Sequence, residues 1–138
     1  MRFIDANVFI YAVLKPKAVL PDAILKKKDA AKEIFLRMNA GEPVTTTTVH
    51  LSEVANVLED AAGMAFACDL LSALLMKSSL IVEPVTVDDY RESIRLSSKL
   101  GISINDALAV IVMERLGIEE IYTFDRHFCQ APVRIVQE

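Results

Sequence analysis

The sequence predicts an α/β fold: a central, mainly parallel sheet covered on both faces by helices. Short apolar runs alternate along the chain with longer segments of helical periodicity. Most of the runs are apolar throughout rather than at every second position, as strands buried on both faces must be. The 138 residues suffice to bury one proper core and are too few for two ordinary domains, so residues 1–138 are expected to form a single domain. A hydrophobic content of 53% with 25% charged residues is the balance of a compact soluble protein and excludes disordered and fibrous classes.

Taken in order, Arg2 to Asp5 is a short apolar run that reads as a buried strand. Asn7 stands where it can cap a following helix through Phe9, Ile10, Val13 and Leu14. Pro16 and Pro21 mark a loop. From about Asp22 to Ala40, Ala30, Ala31, Ile34, Phe35 and Met38 fall at helical spacing, with Gly41 at the expected C-cap. Pro43 to Thr46 is the second strand. Leu51, Val54, Ala55, Leu58, Ala61 and Ala62 then recur every three or four residues in a helix that Gly63 ends. Met64 to Lys77 is another apolar helix, and Leu80 to Glu83, bounded by Pro84, is the third strand. Thr86 with Asp89 forms a capping-box signature for a helix that ends at Gly101. Ser103 with Asp106 repeats it for a helix through Ala107, Leu108, Val110, Ile111 and Leu116 that closes at Gly117. Glu120 to Phe124 is a strand, Asp125 begins a short turn or helix, and Val133 to Val136 adds an edge strand.

Phe3 to Leu14 is apolar but is interrupted by Asp5 and Asn7 and has no basic stretch before it, which makes a poor signal peptide. No uncharged stretch approaches the roughly 20 apolar residues that cross a bilayer. The expectation is a cytoplasmic protein without a membrane partner. Cys68 and Cys129 lie far apart, with no companion at metal-ligand spacing, and read as two core thiols. The net charge of −4 counts against a protein that holds nucleic acid by a positive surface, unless metal ions supply the missing charge. One basic cluster exists: Lys15, Lys17, Lys26, Lys27, Lys28, Lys32 and Arg37. It reads either as a solvated helix face or as an edge that steers phosphates.

In open α/β sheets the site lies beyond the carboxyl ends of the strands. Asp5 and Asp125 stand at the ends of predicted strands, and Glu53 and Asp106 near the starts of helices, so all four can converge. Carboxylates gathered in a partly buried place repel one another, and a divalent cation removes that cost. An acid set without His or Cys selects Mg²⁺ or Mn²⁺ over zinc, and phosphodiester hydrolysis is the reaction such a centre performs most naturally. Each acid also has a plainer reading. Asp5 sits among Phe3, Ile4, Val8 and Phe9, all of which want burial, and is hardest to dismiss as surface. Glu53 reads equally well as an exposed helix carboxylate. The Ser103 cap accounts for Asp106 by itself, and Asp125 reads equally as the start of a turn.

Four segments, read in order, resemble the successive acidic motifs of the PIN-domain family: Arg2-Phe3-Ile4-Asp5-Ala6-Asn7-Val8-Phe9, Leu51-Ser52-Glu53-Val54, Asn105-Asp106-Ala107-Leu108-Ala109 and Tyr122-Thr123-Phe124-Asp125-Arg126-His127-Phe128. The resemblance implies a three-layer α/β/α sandwich and a Mg²⁺- or Mn²⁺-dependent endoribonuclease with catalytic, metal-holding acids at Asp5, Glu53, Asp106 and Asp125. It also implies support for those acids by hydrogen bonds from Asn7 and Thr123, whose plainer readings are a helix cap and strand propensity. The compact form, without an appended zinc ribbon or RNA-binding domain, is similar to the toxin of VapBC toxin–antitoxin pairs, which implies an RNA substrate, an antitoxin partner and a homodimer. The apolar helices from Leu51 to Met76 give the homodimer a further motive. Some members carry an additional acid after the last motif, where this chain has Arg126 and His127, leaving the number of metal ions open. His50 has no assignment.

Two other functions compete. A phosphatase using Asp5 as nucleophile, in the manner of the haloacid-dehalogenase-like enzymes, would need an acid two residues on, where Asn7 stands. A PIN-like module that binds RNA or protein without cleaving would keep the fold and the pocket.

Overall fold

The computed structural model describes residues 1–15 and 18–136. Pro16, expected to mark a loop, and Lys17 of the basic cluster lie outside the described residues. The elements run β1 (Arg2–Ile4), α1 (Ala6–Val13), α2 (Asp22–Asn39), β2 (Val44–Thr47), α3 (Thr48–Ala62), α4 (Met64–Leu75), β3 (Leu80–Glu83), α5 (Val87–Leu100), α6 (Ile104–Leu116), β4 (Glu120–Tyr122), a 3-10 helix (Arg126–Gln130) and β5 (Arg134–Val136). Among the described residues the strands form one five-stranded sheet in the order β3-β2-β1-β4-β5, every pair parallel. β1 is central, with Phe3 in register with Thr45 of β2 and Ile121 of β4.

Strand pleating sends successive side chains to opposite faces, and two cores result. Ile4 and Tyr122 point into a core built from α1, α2, α3 and α4, with Phe9, Ile34, Met38, Val54, Leu58 and Leu74 fully or almost fully buried. Phe3 and Ile121 point the other way, against α6 and the 3-10 helix through Ala107, Val112, Met113 and Phe128, with Leu96 and Leu100 of α5 at the margin. This is the expected three-layer α/β/α sandwich. Each fully buried Phe, Leu or Ile side chain contributes roughly 1.5–3 kcal/mol.

Four details differ from the sequence reading. Asp5, not Asn7, caps α1: it has extended backbone angles and its carboxylate accepts the Ala6 N–H. β4 ends at Tyr122 rather than Phe124, because the Phe124 N–H turns to Asn7 Oδ1 and the Asp125 N–H to Thr123 Oγ1. Cys68 and Cys129 are exposed, not core thiols. Cys68 lies on the outward side of α4, which buries Ala67 and Leu74, and Cys129 follows the buried Phe128 in the 3-10 helix. Lys28 is the exception in the basic cluster. It is buried, and its Nζ donates to the carbonyls of Tyr11 and Leu14, joining α2 to the end of α1. No single helix among the described residues is long and apolar enough to cross a membrane.

Candidate active site

The chain runs from β1 outward on one side to β2 and β3 and, on the other, to β4 and β5. The carboxyl ends of β1 and β4 therefore flank the point where the strand order reverses, the place where α/β sheets open a crevice. Asp5 follows β1 directly, Thr123 and Asp125 follow β4, Glu53 lies in the second turn of α3 behind β2, and Asp106 lies in the first turn of α6.

Asp5 is 5% exposed. Its Oδ2 accepts the Thr123 hydroxyl at 2.7 Å and its Oδ1 the Ala6 N–H at 2.9 Å. Burial raises its pKa to about 6 against the pull of the Thr123 and Ala6 bonds, and the negative charges of Glu53 and Asp125 raise it further. Thr123 is the hub of the arrangement. Its single proton goes to Asp5, while its oxygen accepts from the Asp125 N–H at 3.0 Å and Asn7 Nδ2 at 3.4 Å. Asn7 completes the link by accepting the Phe124 N–H at 3.3 Å. Thr123 thus bonds Asp5 directly, and Asn7 reaches the acids only through Thr123 while clamping β1 to β4.

Asp106 is 7% exposed, and Ser103 Oγ accepts its backbone N–H at 3.1 Å. Its pKa is raised to about 7, first by burial and then by the charges of Asp5 and Asp125. Asp106 and Asp125 lie side by side, and the nearby negative charge of Asp125 adds to the upward shift at Asp106. Asp125 Oδ1 accepts the His127 N–H at 2.9 Å and lies 3.1 Å from His127 Nδ1. One ligand atom each from Asp106, Asp125 and His127 lies within 4.8 Å of the other two. The structure therefore brings Asp5, Asp106 and Asp125 together, with Glu53 close enough to act on the charge of Asp5.

Two further residues belong to the site. Asn105 Nδ2 donates to Glu53 Oε1 at 2.8 Å and holds that carboxylate toward α6. His50 is buried edge-on against Phe3, with Nδ1 2.6 Å from Thr47 Oγ1 and Nε2 3.8 Å from Asp5 Oδ1. Burial lowers the pKa of His50 to about 4, so the ring is neutral and contributes no charge to balance Asp5. The sequence holds a faint signal for both: Asn105 adjoins Asp106 inside the third acidic motif, and His50 precedes Leu51 by one residue.

The four carboxylates fit a hard divalent cation, with the His127 ring as a nitrogen at the edge of the set. All four acids offer carboxylate oxygen, and burial together with their mutual repulsion pushes the pKa of Asp5 and Asp106 upward. Among the described residues no lysine or arginine pairs with any of the four.

An open parallel sheet whose carboxyl edge gathers unneutralised acids at the strand-order reversal defines an acid-centred α/β protein. The chain belongs to the PIN domain family, whose profile matches residues 2–133. Among solved structures it is similar to VapC20 of Mycobacterium tuberculosis, a sarcin–ricin-loop-cleaving toxin, with a TM-score of 0.81 at 21% identity over 100% of both chains. It is also similar to a chain of a toxin–antitoxin complex from Klebsiella pneumoniae, with a TM-score of 0.67 at 15% identity over 99% of this chain and 96% of that one. These likenesses show a shared fold. No curated protein matches the chain significantly.

Proposed function

We propose that the protein is a Mg²⁺- or Mn²⁺-dependent endoribonuclease, acting as a VapC-like toxin restrained by an antitoxin. One observation carries the reading: Asp5 and Asp106, 5% and 7% exposed, are gathered with Asp125 at the carboxyl edge of the sheet, where among the described residues no lysine or arginine pairs with them. Family membership and the fold shared with VapC20 support the same conclusion.

In this reading Asp5, Glu53, Asp106 and Asp125 hold the metal. When bound, the ion lowers the pKa of a water and offsets charge on the phosphoryl oxygens. The chain's own residues do the positioning. Thr123 fixes one oxygen of Asp5 and, through Asn7, ties β1 to β4, while Asn105 holds Glu53. An antitoxin and a homodimer are partners in this reading, supported by Met64, Phe66 and Leu75 of α4 and by Met76 at its C-cap, all of them exposed. Sedimentation as a monomer at micromolar concentration would remove the homodimer.

The test is cleavage of RNA with Mn²⁺ by the wild type and by Asp5→Asn. Cleavage by the wild type, its loss in the variant and its loss in chelator are expected. Equal cleavage by both proteins would trace the activity to contamination, and RNA binding without cleavage would assign the chain to a non-cleaving module.

A further inference from the structure

Beside Asp125 the surface opens into a cleft of about 320 Å³ lined by Lys26, Lys27 and Ala30 of α2 and by Phe124 and Arg126. Phe124 and Arg126, which line the cleft, are the chain neighbours of Asp125 on either side. Its aromatic wall is held in place. The half-buried Phe124 ring meets Tyr11 edge-on, centroids 5.4 Å apart, and the Phe124 N–H is bonded to Asn7. Lys27 Nζ lies 5.9 Å from the Tyr11 centroid. With Lys28 turned inward as a clamp on α1, the basic run of α2 divides: one lysine is structural, and Lys26 and Lys27 face the cleft.

Among the described residues none of Lys26, Lys27 and Arg126 pairs with a carboxylate, although the chain carries a net charge of −4. Cations left unpaired around a flat aromatic ring suit a polyanion with faces that stack, whereas carboxylate side chains offer charge without a face. We infer that this cleft is a nucleotide subsite. It takes the residue of a single-stranded RNA adjacent to the phosphate at the acids, with Lys26, Lys27 and Arg126 on the phosphate backbone and Phe124 under a base. The inference rests on the ribonuclease reading for the identity of its ligand. It also resolves the two readings of the basic cluster residue by residue, since Lys28 serves the fold and its neighbours serve the ligand.

The test uses the full chain in an Asp5→Asn background, which removes cleavage from the binding measurement. Fluorescence anisotropy with a short labelled single-stranded oligoribonucleotide gives the affinity and its salt dependence. Lys27→Ala/Arg126→Ala should weaken binding about tenfold or more, and the slope of log affinity against log salt should shrink by about 0.7 for each phosphate that is no longer neutralised. Phe124→Leu should weaken binding by about fivefold or more while leaving the slope unchanged. Unchanged affinity and slope in the double variant would overturn the subsite, as would tighter binding of an oligoglutamate peptide that depends on the same two cations, the sign of a protein partner. Cleavage by the otherwise wild-type chain is scored separately. RNA cleaved normally with binding indifferent to the cleft leaves the nuclease reading standing and removes the subsite. Cation-dependent binding without wild-type cleavage does the reverse.

Discussion

Asp89 and Asp106 occupy the same place in the same local motif. Each is the third helical residue after a hydroxyl N-cap, Thr86 or Ser103, and they are 5% and 7% exposed. At α5 both arms of the capping box form: Thr86 Oγ1 accepts the Asp89 N–H, and the Asp89 carboxylate accepts the Thr86 N–H. Arg115 then closes on the same carboxylate through both terminal nitrogens, at 2.9 and 3.3 Å. The Thr86 bond and Arg115 hold the pKa of Asp89 below its ordinary value. Asp106 has the backbone cap but no cation, and burial beside Asp5 and Asp125 drives its pKa the other way, to about 7. Helix α6 supplies the arginine that settles one aspartate and carries the aspartate that is left unsettled. A hydroxyl followed three residues later by an acid thus specifies where a helix starts. Whether the acid is spent on structure depends on a charge brought from elsewhere.

The sharpest way to separate the two is to neutralise each. Asp106→Asn should reduce Mn²⁺-dependent RNA cleavage by about 100-fold or more, the upper end of what losing a mere supporting partner costs. It should also raise the melting temperature of the metal-free protein, because the buried charge is gone. Asp89→Asn should leave cleavage within about twofold and lower stability by about 1–3 kcal/mol through the weakened box and arginine pair. Kinetics and thermal melts in chelator check both. A stable, active Asp106→Asn protein would reduce Asp106 to a cap.

The second prediction concerns pH. Between pH 5 and 6 the folded, metal-free chain keeps protons on Asp5 and Asp106 that the unfolded chain has released. His50, with its pKa lowered to about 4, lacks a proton that the unfolded chain holds up to about pH 6.5. Two protons in excess and one in deficit leave the folded state binding more, so stability falls as pH rises. From pH 5 to 7.5 the net loss is about 2 kcal/mol. Mn²⁺ should cancel it by holding the carboxylates ionised. Melting temperatures in chelator that rise over this interval would contradict the shifts at Asp5 and Asp106.

The two aspartates also show what a single sequence exposes. Strand positions were legible within one or two residues because short runs bounded by Gly, Pro and helical periodicity stand out, even where β2 buries three threonines, and the rule for open α/β sheets then pointed Asp5, Glu53, Asp106 and Asp125 toward one edge. What stayed hidden depends on partners distant in the chain. β4 stops at Tyr122 because Asn7, more than a hundred positions earlier, takes the Phe124 N–H. Asn105 supports Glu53 across 52 positions. Asn7 reads as the cap of α1, but the extended backbone of Asp5 and its bond to the Ala6 N–H start the helix two residues earlier. The exposure of Cys68 follows from how narrow a side of α4 is packed, which an all-apolar helix does not announce.

The smallest effects come from the hydroxyls themselves. Thr86→Ala and Ser103→Ala each remove one bond to an N3 amide and should cost a similar amount of stability, about 1 kcal/mol. Their effects on Mn²⁺ affinity, measured by calorimetric titration, should differ. Without the Thr86 hydroxyl the Asp89 carboxylate is still held by the residue-86 N–H and by Arg115, and it lies away from the acids, so affinity stays put. Without the Ser103 hydroxyl Asp106 loses the bond that sets the first turn of α6, and no cation takes over, so affinity should fall several-fold beyond the shared stability cost. Equal affinities in the two variants would mean that Asp106 is placed by the packing of α6 alone, and that its cap, like that of Asp89, belongs to the fold.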